Sequence, residues 1–346
     1  MRKPCLGMVK ATNRKPTSFD VAEKAGVSRS AVSRAFTPGA VISPETREKV
    51  EQAAAELGYR VNSLARGLQQ KHSGIVGIVC SRLDTPMRSR QVRLLSEALI
   101  RDNLKPMLIT VESPDDLGSL IESLLGYSVA GIIVTDGSPP RGLIEDCRKL
   151  GLPVVMVNRA GASNWGDRVI ANNEESGELA VDLLVKCGAA RLGCLMPKKR
   201  TYSVTGRADA FIAAAAARQL PCEQIIALDQ SYNDARLAIA QVDRAVLARV
   251  DGLFCATDLM AIGAMDGLRT DLGLRVPEDI QVLGYDDIEQ ASWAAYNLST
   301  IRQNVEAQAE AVIKLLNDRL SDTSLPVRVH NQELTPMLRG TTRHDR

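Results

Sequence analysis

Hydrophobic and polar positions follow two rhythms along this chain, and the change of rhythm divides it. In residues 19–36, FDVAEKAGVSRSAVSRAF, apolar positions recur at helical spacing on both sides of a glycine. Thr17 or Ser18 can cap a first helix over 19–25 by accepting from an orphan backbone N–H. Gly26 tolerates the left-handed conformation that ends a helix, and Val27 fits the angle between two helices. Ser28 can cap a second helix. Ala31, Val32, Ala35 and Phe36 share one face of it, and Arg29, Ser30, Ser33 and Arg34 share the other. Residues 41–59 predict a third helix: Ser43 as cap, Pro44 in the first position, Glu45 and Glu48 at the positive end. Its inner stripe is Val50, Ala53, Ala54 and Leu57, and Gly58 is its stop.

From Gly74 the rhythm changes to short β-branched runs separated by amphipathic stretches. Runs at 75–80, 106–111, 131–134 and 153–157 predict buried strands, with helices around 91–102, 115–126 and 140–150. A second series has strands at 191–195, 252–255 and 280–284, with helices near 175–187, 206–219, 234–248 and 258–270. This alternation predicts two doubly wound parallel sheets, one per lobe. The fold class is thus a small all-α helix-turn-helix domain followed by a two-lobed α/β domain. Ligands of such sheets sit beyond the carboxyl ends of the strands, so the cleft between lobes is the expected pocket.

Charge sharpens the division. The net charge of +2 hides an asymmetry: residues 1–72 carry 13 Lys+Arg against 6 Asp+Glu, and the remainder carries 30 against 35. Positive charge concentrates where phosphates would be neutralised. Two helices joined by a glycine turn, the second presenting Arg29, Ser30, Ser33 and Arg34 outward, match docking in a DNA major groove. Arginine there can bond guanine bidentately, and serine can reach a base or a phosphate. A surface helix pair with solvated arginines fits the same spacing. Residues 62–70, NSLARGLQQ, place Leu64, Ala65 and Leu68 at helical spacing. That suits a hinge helix formed on DNA with Leu68 as a minor-groove wedge, or a plain linker.

The phrases DVAEKAGVS, AVSRAF, SPETREKVEQAAAELGY and NSLARGL together resemble the amino-terminal module of the LacI/GalR family of bacterial transcription regulators. GLFCATDLMAIGAM, VPEDIQVLGYDDIEQA and LSTIRQ resemble that family's later signatures, in the same order, so the resemblance spans nearly the whole chain from Lys15. It implies a periplasmic-binding-protein-like effector domain whose chain crosses between lobes three times, with a late helix near 306–320 back in the first lobe. The implied divisions are a basic arm at 1–14, the helix-turn-helix at 15–61, the hinge at 62–73 and the effector domain at 74–346. The first lobe would take about 74–172 and 303–331, and the second about 173–302 and 332–346.

The resemblance also assigns sites. Thr17, Ser28, Arg29, Ser30, Ser33, Arg34, Asn62 and Leu68 stand at DNA-contacting positions. Asn158, Arg207, Thr257 and Asp286 stand where the family holds its effectors, with Asp286 accepting from hydroxyls and Arg207 clamping an oxygen-rich group. Asp286 would equally serve as a helix cap, and Asn158 and Thr257 as turn residues. Four departures from the family pattern matter. Thr257 replaces a usual Asn. The stretch at 84–88, DTPMR, puts Met87 and Arg88 where two aromatics usually end it. The loop at 197–200, PKKR, is basic where small residues are usual, and Val61 stands where proline is frequent. Arg88, Arg207 and Lys198 would make the cleft cationic and favour an anionic effector, or would equally stand as solvated residues on its rim.

Other classes find little support. No GxSxG, P-loop or GxGxxG follows a strand, so no catalytic residue is assigned and an α/β enzyme with an amino-terminal interaction domain is disfavoured. A pure solute-binding protein would have similar lobes, but residues 15–70 argue against it. Seven scattered cysteines and three histidines show no metal spacing and fit a reducing compartment. The basic start has no apolar run of a secretory signal, and no segment has membrane-span length. A cytoplasmic protein without cofactor or membrane partner is expected. Its partners would be near-palindromic double-stranded operator DNA, a second copy of the chain, and a small effector: a sugar, sugar acid or phosphorylated metabolite. No leucine-heptad tail points beyond a homodimer.

Overall fold

The computed structural model describes residues 14–37, 39–60, 73–111, 117–135, 141–159 and 166–343. The chain separates into two compact units between Ser73 and Gly74.

The first unit holds three helices, α1 (Ser18–Ala25), α2 (Arg29–Ala35) and α3 (Pro44–Leu57). Val21, Ala22, Val32, Ala35, Val50, Ala53 and Ala54 form its core, with Val27, Phe36, Leu57 and Tyr59 packed on the rim. Gly26 and Gly58 both close helices at φ 65°, the conformation glycine allows at least cost. Ser28 caps α2 by accepting from the Ala31 N–H at 3.2 Å, and Ser43 caps α3 in the same way through Thr46. Thr17 is the N-cap of α1, as expected, and Asp20 completes a capping box with it. The Thr17 hydroxyl donates to Asp20 Oδ2 at 2.7 Å, and the Thr17 N–H reaches the same oxygen at 2.6 Å. A carboxylate one turn inside the helix can therefore do the holding, where it also meets the positive helix end. Arg47 of α3 donates to the carbonyls of Ala35 and Ala40, tying down the negative end of α2.

The second unit contains two six-stranded sheets. The first runs β11-β5-β4-β3-β1-β2, all parallel: β1 (Ile75–Cys80), β2 (Lys105–Thr110), β3 (Gly131–Val134), β4 (Val154–Val157), β5 (Asp167–Ile170) and β11 (Val329–Asn331). The second runs β12-β10-β9-β8-β6-β7: β6 (Leu192–Pro197), β7 (Cys222–Ala227), β8 (Gly252–Cys255), β9 (Gln281–Asp286), β10 (Ser299–Gln303) and β12 (Leu334–Met337). Only the β10–β12 pairing is antiparallel among the described strands. The chain passes between sheets after β5, after β10 and after β11, so three crossovers join the lobes.

Helices cover both sheets. In the first lobe these are α4 (Pro86–Arg101), α5 (Leu117–Gly126), α6 (Arg141–Lys149) and α12 (Val305–Ser321); in the second, α7 (Asn173–Lys186), α8 (Val204–Ala217), α9 (Tyr232–Gln241), α10 (Arg244–Leu247) and α11 (Asp258–Asp266). The central strands β1, β3, β4, β6, β8 and β9 are buried on both faces, which is why they read as nearly unbroken apolar runs. The first lobe keeps two apolar clusters, one on each side of its sheet, and a single larger cluster fills the second. Gly177 lets α7 lie directly on α8, since a Cβ there would stand 2.4 Å from the Ala210 carbonyl carbon. Two expected elements change shape. The helix near 234–248 is broken at Val242 (ψ 143°), and Asp243 caps α10 through the Ala245 N–H. The helix expected from 91 begins at Pro86, so Met87 and Arg88 lie in its first turn.

Asp167 fastens the edge of the first lobe. Its carboxylate, fully buried, takes Arg319 Nη2 at 2.7 Å and Arg328 Nη2 at 2.8 Å. Burial alone would raise its pKa, but these bonds outweigh it and hold the carboxyl below its usual range.

Candidate DNA-binding face and effector cavity

On α2 the apolar face is buried, and Ser28, Arg29, Ser30, Ser33 and Arg34 are all exposed. The side chains of Arg29 and Arg34 make no hydrogen bond or ion pair among the described residues. The Ser28 and Ser30 hydroxyls bond each other at 2.8 Å. Both can turn to a base or phosphate without exposing a buried group. Thr17 is also exposed, but its hydroxyl proton and its N–H are both given to Asp20, so a phosphate would have to compete for them. Asn62, Leu68 and the expected hinge up to residue 72 lie outside the described residues, as do Val61 and residues 1–13.

The second site is a cavity of about 1290 Å³ between the lobes, built from the carboxyl ends of strands in both sheets. Met87, Arg88, Asn158, Arg207, Thr257 and Asp286 all line it, so six side chains spread over 200 residues meet in one place. Lys198 is not on this wall; Lys199 and Arg200 are. Met87 packs against the apolar core of the opposite lobe, and Arg88 Nη1 is held by the Thr135 carbonyl at 2.7 Å and Gln91 Oε1 at 2.5 Å. Thr257 accepts from the Met260 N–H at 3.2 Å and so caps α11, a role that leaves its hydroxyl proton available.

Arg207 and Asp286 differ most from expectation. They bind each other, Arg207 Nη1 to Asp286 Oδ1 at 3.1 Å, with side chains only 4% and 8% exposed. Arg207 also donates to the Ala256 and Ser203 carbonyls, and its guanidinium lies 3.8 Å above the Tyr285 ring centroid. Asp286 Oδ1 accepts a second bond from Gln303 Nε2 at 2.8 Å. Burial raises the Asp286 pKa, and Arg207 and Gln303 only partly counter it. Asp286 does not cap the following turn. Asp258 does that work, accepting the Ile288 N–H at 2.9 Å and the Thr300 hydroxyl at 2.5 Å. Wholly buried and close to Asp286, Asp258 has its pKa pushed up to about 7, first by burial and then by that neighbouring charge. The backbone is strained at two of these positions, Asn158 at φ 51° and Asp286 at φ 123°, as expected where a site dictates conformation.

Gln303, which sequence reasoning passed over within LSTIRQ, joins the lobes. Its Oε1 accepts from Asn158 Nδ2 at 3.1 Å while its amide nitrogen holds Asp286. Asn158 Oδ1 in turn accepts the Ala171 N–H at 3.0 Å, next to the first crossover. A second amide chain leaves the cavity wall: Gln91 donates to Gln308, and Gln308 donates to Gln332 at 2.9 Å beside the third crossover. Polar side chains at the crossovers are thus bonded to the cavity wall. The thiols of Cys147, Cys187, Cys194, Cys222 and Cys255 are all pushed up by burial, which makes none of them a ready nucleophile. Among the described residues no cluster of His, Cys, Asp and Glu could hold a metal, and no helix is long and apolar enough to cross a membrane.

Comparison with known proteins gives these sites a context. Residues 19–62 match the model of bacterial regulatory proteins of the lacI family, and residues 181–342 match a periplasmic binding protein-like domain. The ribose operon repressor of Lactococcus lactis subsp. lactis is 30% identical over 324 residues, covering 90% of this chain and 95% of that protein. The sucrose operon repressor of Pediococcus pentosaceus is 29% identical over 90% and 94%. Among solved structures, the Lac repressor dimer bound to operator and the anti-inducer ONPF superposes with a TM-score of 0.83 at 25% identity, over 95% of this chain and 99% of that one. A complex of the regulator CelR with cellobiose gives 0.68 at 27% identity, over 94% and 99%.

Proposed function

Because the chain belongs to the LacI family of bacterial regulatory proteins, we propose that it is an effector-responsive repressor that reads operator DNA with α2 and binds its effector between the lobes. The observation that carries this reading is the two-faced α2, its apolar side sealed in the core and its arginines and serines free to meet a groove. Arg29, Ser30 and Arg34 contact bases. Ser28, Ser33, Thr17 and Asn62 hold phosphates, and Leu68 wedges a central step. A homodimer places two such helices in successive major grooves, about 34 Å apart, on a near-palindromic site. Relatives named for sucrose and ribose operons make a carbohydrate or related metabolic operon the expected target.

The cavity supplies control. A ligand there changes how the lobes close, and the crossover amides carry the change to the segments that join them. Coupling between ligand and DNA is reciprocal, so each changes the other's affinity by the same factor. No catalytic step is assigned to the cavity. Selection from a random duplex library with the full chain tests the reading. A pair of inverted half-sites should be enriched; repeated rounds without any common sequence would overturn it.

A further inference from the structure

The reading of the cavity as an effector site leaves the charge of the effector open, and the ion pairs of the cavity bear on it. Its wall carries six cationic side chains against four carboxylates. Three of those carboxylates are already held by arginine: Asp286 by Arg207, Asp209 by Arg200 and Asp229 by Arg82. Asp286 Oδ1, an oxygen that would otherwise serve a sugar hydroxyl, takes both Arg207 and Gln303.

The Arg82–Asp229 pair differs from the other two because it joins the lobes. Arg82 follows β1 of the first sheet and Asp229 follows β7 of the second, and Arg82 Nη1 meets Asp229 Oδ2 at 2.6 Å. The pair is partly open to the cavity, with side chains 27% and 39% exposed. Arg82 Nε is buried and makes no hydrogen bond. Of this guanidinium only Nη1 is bonded among the described residues, so the group keeps donors that a carboxylate or phosphate could take in pairs. The Arg82 backbone sits at φ 54°, and the Thr85 N–H and hydroxyl both bond its carbonyl, which fixes the side chain's point of departure. Lys199 lines the same wall and acts electrostatically on Asp229.

We propose that the cavity takes an anionic effector, one bearing a carboxylate or a phosphate, whose acid group replaces Asp229 on Arg82. Asp229 occupies the anion's place from the opposite lobe. Ligand binding then exchanges a bond between lobes for a bond to the ligand, and that exchange is what links occupancy to lobe closure. The inference rests on the cavity being the effector site.

Isothermal titration of the full chain with matched probes tests it: D-glucose, D-gluconate and D-glucose 6-phosphate, then D-ribose, D-ribonate and D-ribose 5-phosphate. At least one acid should bind about tenfold or more tighter than its neutral parent. Carboxylate and phosphate arms tell the two sources of charge apart. Asp229→Asn removes the internal competitor and should tighten that acid about threefold, whereas Arg82→Gln should weaken it about tenfold. Both substitutions break the same ion pair, so a purely structural latch would shift both affinities in one direction. Three results would overturn the proposal: a neutral parent that binds as tightly as its acid, silence from every acid, or the two variants moving together. The same preparations are titrated with selected operator duplex. Operator binding that persists in any of these cases sinks the anion proposal alone, and its absence sinks the regulator reading.

Discussion

The recognition face and the effector cavity keep their charged side chains in opposite states. On α2, Arg29 and Arg34 stand in solvent without partners among the described residues. In the cavity Arg82, Arg200 and Arg207 are each already paired with an aspartate. The difference follows from what each surface meets. DNA brings a dense row of phosphates whose counterions are released on contact, so free arginines lose little when they bind. A small ligand enters a partly buried space where an uncompensated charge would be costly, so the protein supplies its own counter-charge until the ligand comes. The first surface can bind without rearrangement. The second must break a bond to bind, and this is what lets it signal.

The contrast can be broken by substitution. Arg207→Ala leaves Asp286 buried without its cation and should cost about 3–5 kcal/mol of folding stability, read by urea denaturation of the full chain. A loss below about 1 kcal/mol would mean that the cavity pair is not held as tightly as its burial implies. Asp258 probes the same charge cluster through pH. Its folded pKa of about 7 lies above the ordinary value of 3.8, so the folded chain keeps a proton that the unfolded chain has released. Stability should therefore fall as pH rises from about 4 to about 7, by about 2 kcal/mol between pH 5 and 7, and Asp258→Asn should flatten this slope. An unchanged slope in the variant would assign the pH dependence elsewhere.

Smaller effects belong to the first unit. Ser28→Ala removes the cap of α2 and should cost about 1 kcal/mol in that unit while leaving ligand titrations unchanged. Arg29→Ala should alter folding by less than about 0.5 kcal/mol, because nothing in the fold depends on it. A large loss of stability there would show that the recognition face is structural after all.

How far each surface could be read from sequence follows from the same contrast. The recognition face is local. Its cap, turn glycine, buried stripe and outward arginines all fall within eighteen consecutive residues, and helical periodicity orders them. Seven of the twelve described strands were legible as apolar runs, and the lining role of Asn158, Thr257 and Asp286 was legible because strand ends gather at one edge of a doubly wound sheet. Partner choice was not legible. The bonds from Arg207 to Asp286, Asn158 to Gln303 and Arg82 to Asp229 span 79, 145 and 147 residues. No local pattern encodes which acid an arginine will meet. Strands β5, β7, β10, β11 and β12 escaped for a related reason, being three to six residues long and interrupted by polar residues.

The central claim is that α2 reads sequence with arginines the fold does not need. Fluorescence anisotropy of the full chain on its selected operator and on a scrambled duplex, at one fixed salt concentration, tests it in the wild type and in Arg34→Ala. The wild type should prefer the operator by about 1,000-fold or more, and the variant should fall to nearly the scrambled affinity with an unaltered melting temperature. A variant that folds normally and keeps the full preference would contradict the account.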